Sequence, residues 1–162
     1  MSRNRLDLLH LDATASMAAV RELFEEYARS LSVDLCFQNF AAELATLPGE
    51  YLPPGGSLVL ARYAGADVGC GALRALVDCD YPNACEMKRV YLRPQFRGKG
   101  FGRQLAMHLI DQARTLGYSC VLLDTLDDME SARGLYDSLG FYEVPPYYFN
   151  PLPGAHYLKV DL

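Results

Sequence analysis

The sequence predicts an α/β domain built on a mixed sheet, and three observations carry that prediction. Segments with helical apolar spacing alternate with strand-like segments in the order β-α-α-β-β-β-α-β-α-β-β. The short run Cys120-Val121-Leu122-Leu123 is wholly apolar, the mark of a central strand covered on both faces. Three glycines at alternate positions, Gly98, Gly100 and Gly102, join a strand to a helix. At 162 residues the chain is expected to form one domain over 1–162, long enough for a single sizeable core.

Leu6 to Asp12 alternates loosely and reads as a first strand. Ser16 then stands as a helix cap before Met17, Val20, Leu23, Phe24, Tyr27, Ala28 and Leu31, which share one face of an amphipathic helix. A second, weaker helix is expected over Phe37 to Leu47, stopped by Pro48-Gly49. Pro53-Pro54-Gly55-Gly56 is punctuation. Ser57 to Tyr63, then Ala64-Gly65, then Ala66 to Val77 read as strand, turn and longer strand. Asp78 to Asn83 is a polar loop, and Glu86 to Arg93 a strand ending at Pro94. From Gly100, Phe101, Leu105, Ala106, Leu109, Ile110, Ala113 and Leu116 recur at helical spacing up to Gly117. The apolar strand at Cys120 follows, then a helix over Ser131 to Leu139, a stop at Gly140, and two last strands around Pro145-Pro146 and Asn150 to Gly154.

Composition narrows the function classes. Apolar residues make up 51% and charged residues 22%, which excludes a disordered, collagen-like or low-complexity chain. Fifteen Lys and Arg against 20 Asp and Glu leave a net charge of −5, so nucleic-acid binding driven by total charge is not expected. The five cysteines, Cys36, Cys70, Cys79, Cys85 and Cys120, include no C-x-x-C pair, so neither a disulfide framework nor a structural zinc site is expected. The N-terminal stretch carries acids where a signal peptide needs an apolar run, and no run is long enough to cross a bilayer. The expected setting is the cytoplasm, with no membrane partner.

Chemistry concentrates between Val90 and Gly102. Alternating glycines let the backbone turn tightly and bring consecutive N–H groups to a ligand, and the helix behind adds free donors and the positive end of its dipole. Lys88, Arg89, Arg93, Arg97, Lys99 and Arg103 place six of the 15 basic side chains within 16 residues, with no acid between Glu86 and Asp111. A phosphate or pyrophosphate is the ligand this loop suits; a glycine turn with solvated basic residues is the plainer alternative. The spacing excludes a P-loop, which needs four residues between its glycines and then Lys-Ser/Thr. It disfavours a dinucleotide-binding oxidoreductase, although Asp124 could pass for the ribose-binding acid, because the glycines read G-x-G-x-G and follow a loop rather than a strand.

Gln95-Phe96-Arg97-Gly98-Lys99-Gly100 matches the Q/R-x-x-G-x-G/A motif of the GCN5-related N-acetyltransferases, preceded by the apolar-x-apolar-x-Pro run Val90-Tyr91-Leu92-Arg93-Pro94. Leu135-Tyr136 followed by Gly140-Phe141 matches the second motif of that family. The sequence therefore resembles these enzymes, with motif-level likeness over Glu86 to Phe141 and the element order fitting nearly the whole chain. The resemblance implies a mostly antiparallel central sheet flanked by helices, and acetyl-CoA as cosubstrate with no metal. It implies that the strand ending at Leu92 splays from its neighbour at a bulge, with backbone groups of Val90 and Leu92 pairing with the pantetheine amides. It also implies that the N–H groups of Arg97, Gly98, Gly100, Phe101 and Gly102 hold the pyrophosphate, with Arg97 and Lys99 adding charge. A purely structural role for Val90 and Leu92 in the core is compatible with this.

Acetyl transfer needs a neutral amine, a polarised carbonyl and a proton for the departing thiolate. By analogy Tyr136 stands beside the sulfur as proton donor, against a plainer role as a core tyrosine. Glu86 accepts a proton from the ammonium through a water, against a plainer role paired with Lys88 or Arg89. The carbonyl is polarised by a backbone N–H near Leu92. His156 is a weaker candidate base, His10 and His108 are not expected to be catalytic, and Cys120 is expected in the core. The acceptor is expected between the first two helices and the last loop, where Tyr27, Phe37, Tyr147, Tyr148 and Phe149 occur with Glu22, Glu26, Asp34 and Glu43. Acids with aromatics suit a small-molecule or peptide amine. The family resemblance also admits a homodimer, with Pro146-Tyr147-Tyr148-Phe149 as interface or substrate wall. The alternative function is a non-catalytic acyl-CoA-binding or sensing domain of the same fold.

Overall fold

The computed structural model describes residues 5–31, 39–126, 130–148 and 154–162. The elements run β1 (Asp7–His10), α1 (Ala18–Ser30), α2 (Phe40–Thr46), β2 (Ser57–Tyr63), β3 (Ala66–Leu76), β4 (Ala84–Leu92), α3 (Phe101–Thr115), β5 (Cys120–Leu126), α4 (Glu130–Ser138), β6 (Tyr142–Glu143) and β7 (Ala155–Asp161). This is the order read from the sequence. Among the described residues seven strands form one sheet in the order β1-β2-β3-β4-β5-β7-β6, and only β4 and β5 are parallel.

Alternation along the strands sends side chains to two cores. On one face Val59, Ala61, Leu73, Cys85, Met87, Val121 and Leu123 pack against Phe101, Leu105, Leu109 and Ala113 of α3. On the other, Leu58, Leu60, Cys70, Ala72 and Tyr91 pack against Val20, Leu23 and Phe24 of α1. The strand from Cys120 is covered on both faces, as its composition requires: Val121 and Leu123 join the first core, while Cys120 and Leu122 join a smaller cluster with Leu76 and Ala84.

Some boundaries differ from the sequence reading. Helix α1 begins at Ala18 with Met17 in the cap position, and Ser16 Oγ accepts only a long bond (3.4 Å) from the Ala18 N–H. Helix α2 spans Phe40–Thr46, and residues 32–38 lie outside the described residues. Strand β5 continues past the apolar run to Leu126 because β7 pairs with it along its whole length, from Cys120↔Asp161 to Leu126↔Ala155.

One irregularity positions the site. Between β3 and β4 the pairing passes from Ala72↔Lys88 to Cys70↔Tyr91, so Arg89 and Val90 together oppose Gly71. Arg89 takes φ +59°, a left-handed conformation that costs a non-glycine residue about 1–2 kcal/mol. Compensation is at hand. Its guanidinium, with the side chain 2% exposed, donates to Glu43 through Nε (2.9 Å) and Nη2 (3.0 Å) and stacks over Phe40 and Tyr27. A Cβ on Gly69 would run into the Tyr91 carbonyl, and one on Gly71 would lie 2.7 Å from Leu109 Cδ1, which would have to shift.

Candidate active site

The bulge coincides with a split in the sheet. Strands β4 and β5 pair only at Ala84↔Cys120, Cys85↔Val121 and Glu86↔Leu122; beyond Glu86, β4 stays with β3 and β5 with β7. A parallel pair that parts midway leaves backbone N–H and C=O groups facing a gap, where an extended ligand with amides can pair. The splay implied by the family resemblance is therefore present at the strand where it is expected.

The glycine loop stands at the end of that gap. Gly98 and Gly100 take φ +78° and +81°, where L side chains are strained, and nothing lies within 4 Å of a Cβ built on either. Among the described residues, the N–H groups of Gly98, Lys99, Gly100, Phe101, Gly102 and Arg103 have no acceptor, and helical bonding begins with Gln104 N–H to Gly100 O at 3.2 Å. These are the orphan donors of a helix start, preceded by two more from the loop. Phe101 anchors the turn, 1% exposed and against the Tyr63 ring at 4.9 Å. Gly102 has an ordinary helical φ and room for a methyl group. Gln95 is exposed, Val90 is half-buried, and Leu92 is buried in the α3-side core.

Two expectations are corrected here. The Arg97 N–H is taken by Pro94 O at 3.2 Å, so Arg97 offers its side chain alone, which donates to Leu92 O (3.0 Å) and lies over Tyr91. The six basic residues also do not share one surface. Arg89 turns to Glu43, Lys88 lines a cleft on the α1 and α2 side, and Arg93 pairs with Glu26 (2.7 Å) and Glu22 (3.4 Å). Arg97, Lys99 and Arg103 remain on the loop side, with Arg103 donating to Ser138 Oγ of α4 at 2.9 Å. The bulge turns Lys88 and Arg89 to the α1 and α2 side while the loop residues stay on the other, and linear density of charge is not surface density.

The expected acidic acceptor wall is corrected for the same reason. Glu22, Glu26 and Glu43 neutralise arginines of β4 and its following loop. Asp34, Phe37 and Phe149 lie outside the described residues.

Tyr136 projects from α4, 8% exposed, with its ring edge on Phe141 at 5.4 Å. Its hydroxyl has no hydrogen-bond partner among the described residues, and burial raises its pKa, so the phenol stays protonated. Tyr27 approaches from α1 on the opposite face, its pKa pushed up to about 12 by burial against the opposing charge of Arg89. The two hydroxyls and Asp124 are within electrostatic reach of one another.

Glu86 is 1% exposed and both its oxygens are engaged: Oε1 accepts from Arg74 Nε (2.8 Å), and Oε2 from the Tyr147 hydroxyl (2.6 Å). It is neither solvated nor bonded to Arg89, and Lys88 Nζ stands 3.9 Å away. Asp124, on β5 at the split, accepts from the Tyr148 hydroxyl at 2.6 Å, and burial raises its pKa despite that bond. On this side of the sheet a cleft of about 220 Å³ is lined by Glu43, Glu50, Arg74, Glu86, Lys88 and Tyr148. The sequence reading missed Arg74 and gave Asp124 no part in transfer chemistry. Their signal was a lone cation in an apolar strand and an acid closing the apolar run at Leu123. His156 pairs with Glu143 at 3.0 Å, and Cys120 is 3% exposed in the core. No described group of three or more acids, histidines or cysteines is arranged to hold a metal ion, and no described helix is long and apolar enough to cross a membrane.

A family model for the acetyltransferase (GNAT) family matches residues 17–141. An uncharacterized N-acetyltransferase of Schizosaccharomyces pombe is 40% identical over 141 residues, covering 86% of this chain and 85% of that one. Another from Escherichia coli is 30% identical over 133 residues, covering 82% and 78%. Among solved structures, a GNAT family acetyltransferase from Elizabethkingia anophelis with acetyl-CoA bound shares the fold, with a TM-score of 0.67 at 19% identity and coverage of 97% and 98%. The chain belongs to the GNAT acetyltransferase family and is an acetyl-CoA-dependent N-acetyltransferase.

Proposed function

We propose that the chain transfers acetyl from acetyl-CoA to the primary amine of a small molecule or peptide by direct attack in a ternary complex. The observation that carries this reading is the parting of β4 from β5 beyond Glu86, with Asp124 on the β5 side and the six N–H groups from Gly98 to Arg103 unpaired among the described residues. A thioester lying in the split reaches the acceptor cleft from the α4 side, and an amine reaches it from the α1 side.

The residues fit a CoA thioester. Six unpaired N–H groups from Gly98 to Arg103 suit a pyrophosphate, with Arg97 and Lys99 adding charge. The freed backbone edge of β4 at Val90 and Leu92 suits pantetheine amides, and a backbone N–H near Leu92 polarises the carbonyl. Acetyl-CoA supplies the activated acyl group. Tyr136, neutral and with no hydrogen-bond partner among the described residues, gives its proton to the departing sulfur. Asp124 takes the proton from the attacking amine, a role that its raised pKa suits better than an ordinary carboxylate. Glu86, the base read from the sequence, instead holds Arg74 and Tyr147 on its two oxygens.

The test is a screen of amines for release of CoA thiol, run beside thermal shifts with acetyl-CoA and NAD. Turnover with at least one amine and stabilisation by acetyl-CoA alone is the expected result. Stabilisation without turnover on any amine would support the non-catalytic acyl-CoA-binding alternative instead.

A further inference from the structure

Arg74 stands on the cleft face of β3, and its guanidinium is fixed on two sides. Nε donates to Glu86 Oε1 at 2.8 Å, and Nη1 to Glu50 Oε2 at 3.1 Å. Glu86 is fixed in turn by the Tyr147 hydroxyl at 2.6 Å. The remaining nitrogen, Nη2, has no hydrogen-bond partner among the described residues, and Arg74 lines the cleft. A guanidinium held through Nε and one Nη presents its other N–H donors to a further carboxylate at little entropic cost.

The charges around the cleft are polarised. Arg74 and Lys88 stand on its β3 and β4 wall, the Lys88 side chain only 11% exposed. Asp124 stands across the split on β5. Glu43 and Glu86 are matched by Arg89 and Arg74, and Glu50 lies at the rim, 71% exposed. An acceptor with several ammonium groups and no acid finds no unpaired buried carboxylate on that wall among the described residues, because Glu43 and Glu86 already hold arginines, and it leaves the Nη2 donors of Arg74 without an acceptor. One with a carboxylate near its amine supplies that acceptor. The volume of about 220 Å³ has room for roughly seven groups the size of a water molecule, the scale of a single small molecule.

We propose that the acceptor is a small amino-carboxylate, an amino acid in chemical class, and that Arg74 is the specificity-determining residue that binds its carboxylate. This rests on the acetyltransferase reading above. Glu86 and Tyr147 are then positioning residues that hold the guanidinium, and the acceptor amine is directed toward Asp124.

The experiment measures CoA-thiol release with the twenty standard L-amino acids, their carboxamides and their decarboxylated amines. For the preferred acceptor, kcat/KM for the acid is expected to exceed that of both analogues by roughly 10- to 100-fold, the range of a lost charge-assisted bond. Arg74→Gln is expected to collapse that ratio toward one. A carboxamide or amine used as well as its parent acid overturns the proposal, and so does an R74Q protein that keeps the ratio. The wild-type ratio decides even if R74Q fails to fold, and the double variant R74M/E86Q, which removes both partners of the Arg74–Glu86 pair together, repeats the test.

If no amine is turned over, calorimetric binding of the same acids and carboxamides to the protein with CoA separates the two readings. Acid-selective binding that R74Q abolishes sustains the carboxylate site while the transfer reading fails. Equal binding of acid and carboxamide, or none, overturns the site.

Discussion

Arg89 and Glu43, 46 positions apart in the chain, share two hydrogen bonds of 2.9 and 3.0 Å, and that fork holds α2 against the bulge of β4. Glu43→Ala removes one partner of a buried pair and leaves the Arg89 charge uncompensated. A loss of about 3–5 kcal/mol in unfolding free energy is expected, measured by urea denaturation. A change under about 1 kcal/mol would mean that Arg89 finds water or another acid instead.

Tyr136→Phe keeps the ring on Phe141 and deletes only the hydroxyl. Turnover is expected to fall by roughly 100-fold, within the usual range for a positioned acid, while the dissociation constant for acetyl-CoA moves little. Unchanged turnover would remove Tyr136 as the proton donor.

Gly100→Asp strains a residue at φ +81° and places negative charge beside the unpaired N–H groups of the loop. With nothing within 4 Å of its Cβ, the fold tolerates the change at about 1–2 kcal/mol. The thermal shift produced by acetyl-CoA should vanish; a retained shift would place the pyrophosphate elsewhere.

Asp124 accepts a proton only as the carboxylate, the form that dominates above its pKa. Burial raises that pKa, so the acid limb of kcat/KM should lie above the ordinary carboxylate range, with activity lost as pH falls through it. Asp124→Asn should lower kcat and remove this limb. A limb of unchanged position in D124N would assign the base to another group.

His10 and His108 meet through Nε2 atoms 2.7 Å apart, and His10 Nδ1 lies 3.1 Å from Ser57 Oγ, joining β1 to α3. Burial lowers both pKa values below 6.5; the charge of His108 adds to this at His10, while Asp111 opposes it at His108. The unfolded chain therefore binds more protons between the lowered values and 6.5. Stability from the pair is complete above that window and is lost as pH falls through it. The gap in Tm between the wild type and H10N/H108N should narrow from pH 8 to pH 5; a constant gap would show that the pair does not titrate with unfolding.

Legibility followed distance along the chain. The order of elements, the glycines at positive φ, the helix start behind them and the two motifs flanking β5 are all local, decided by backbone preference and periodicity within a few residues. The place of Tyr136 in the second motif was legible for the same reason. Charge partnerships were not: the six basic residues around the loop serve three surfaces, and the acids expected at the acceptor neutralise arginines. Which acid stands at the split was equally hidden, because Glu86 and Asp124 look alike until Arg74, Tyr147 and Tyr148 are seen to divide them.

By itself, then, the sequence determined a seven-stranded α/β acetyltransferase and the loop suited to its cosubstrate. Composition had argued against polyanion partners, and the local glycine pattern identified a small polyphosphate as the exception. Only the tertiary structure decided the character of the cleft. Its charges come from α2 and the segment after it, β3 and β4, and one bulge at Arg89 sends Lys88 and Arg89 to the same side of the sheet. A one-residue change of register reverses which face a side chain occupies, and no local pattern of residue types records where that change falls.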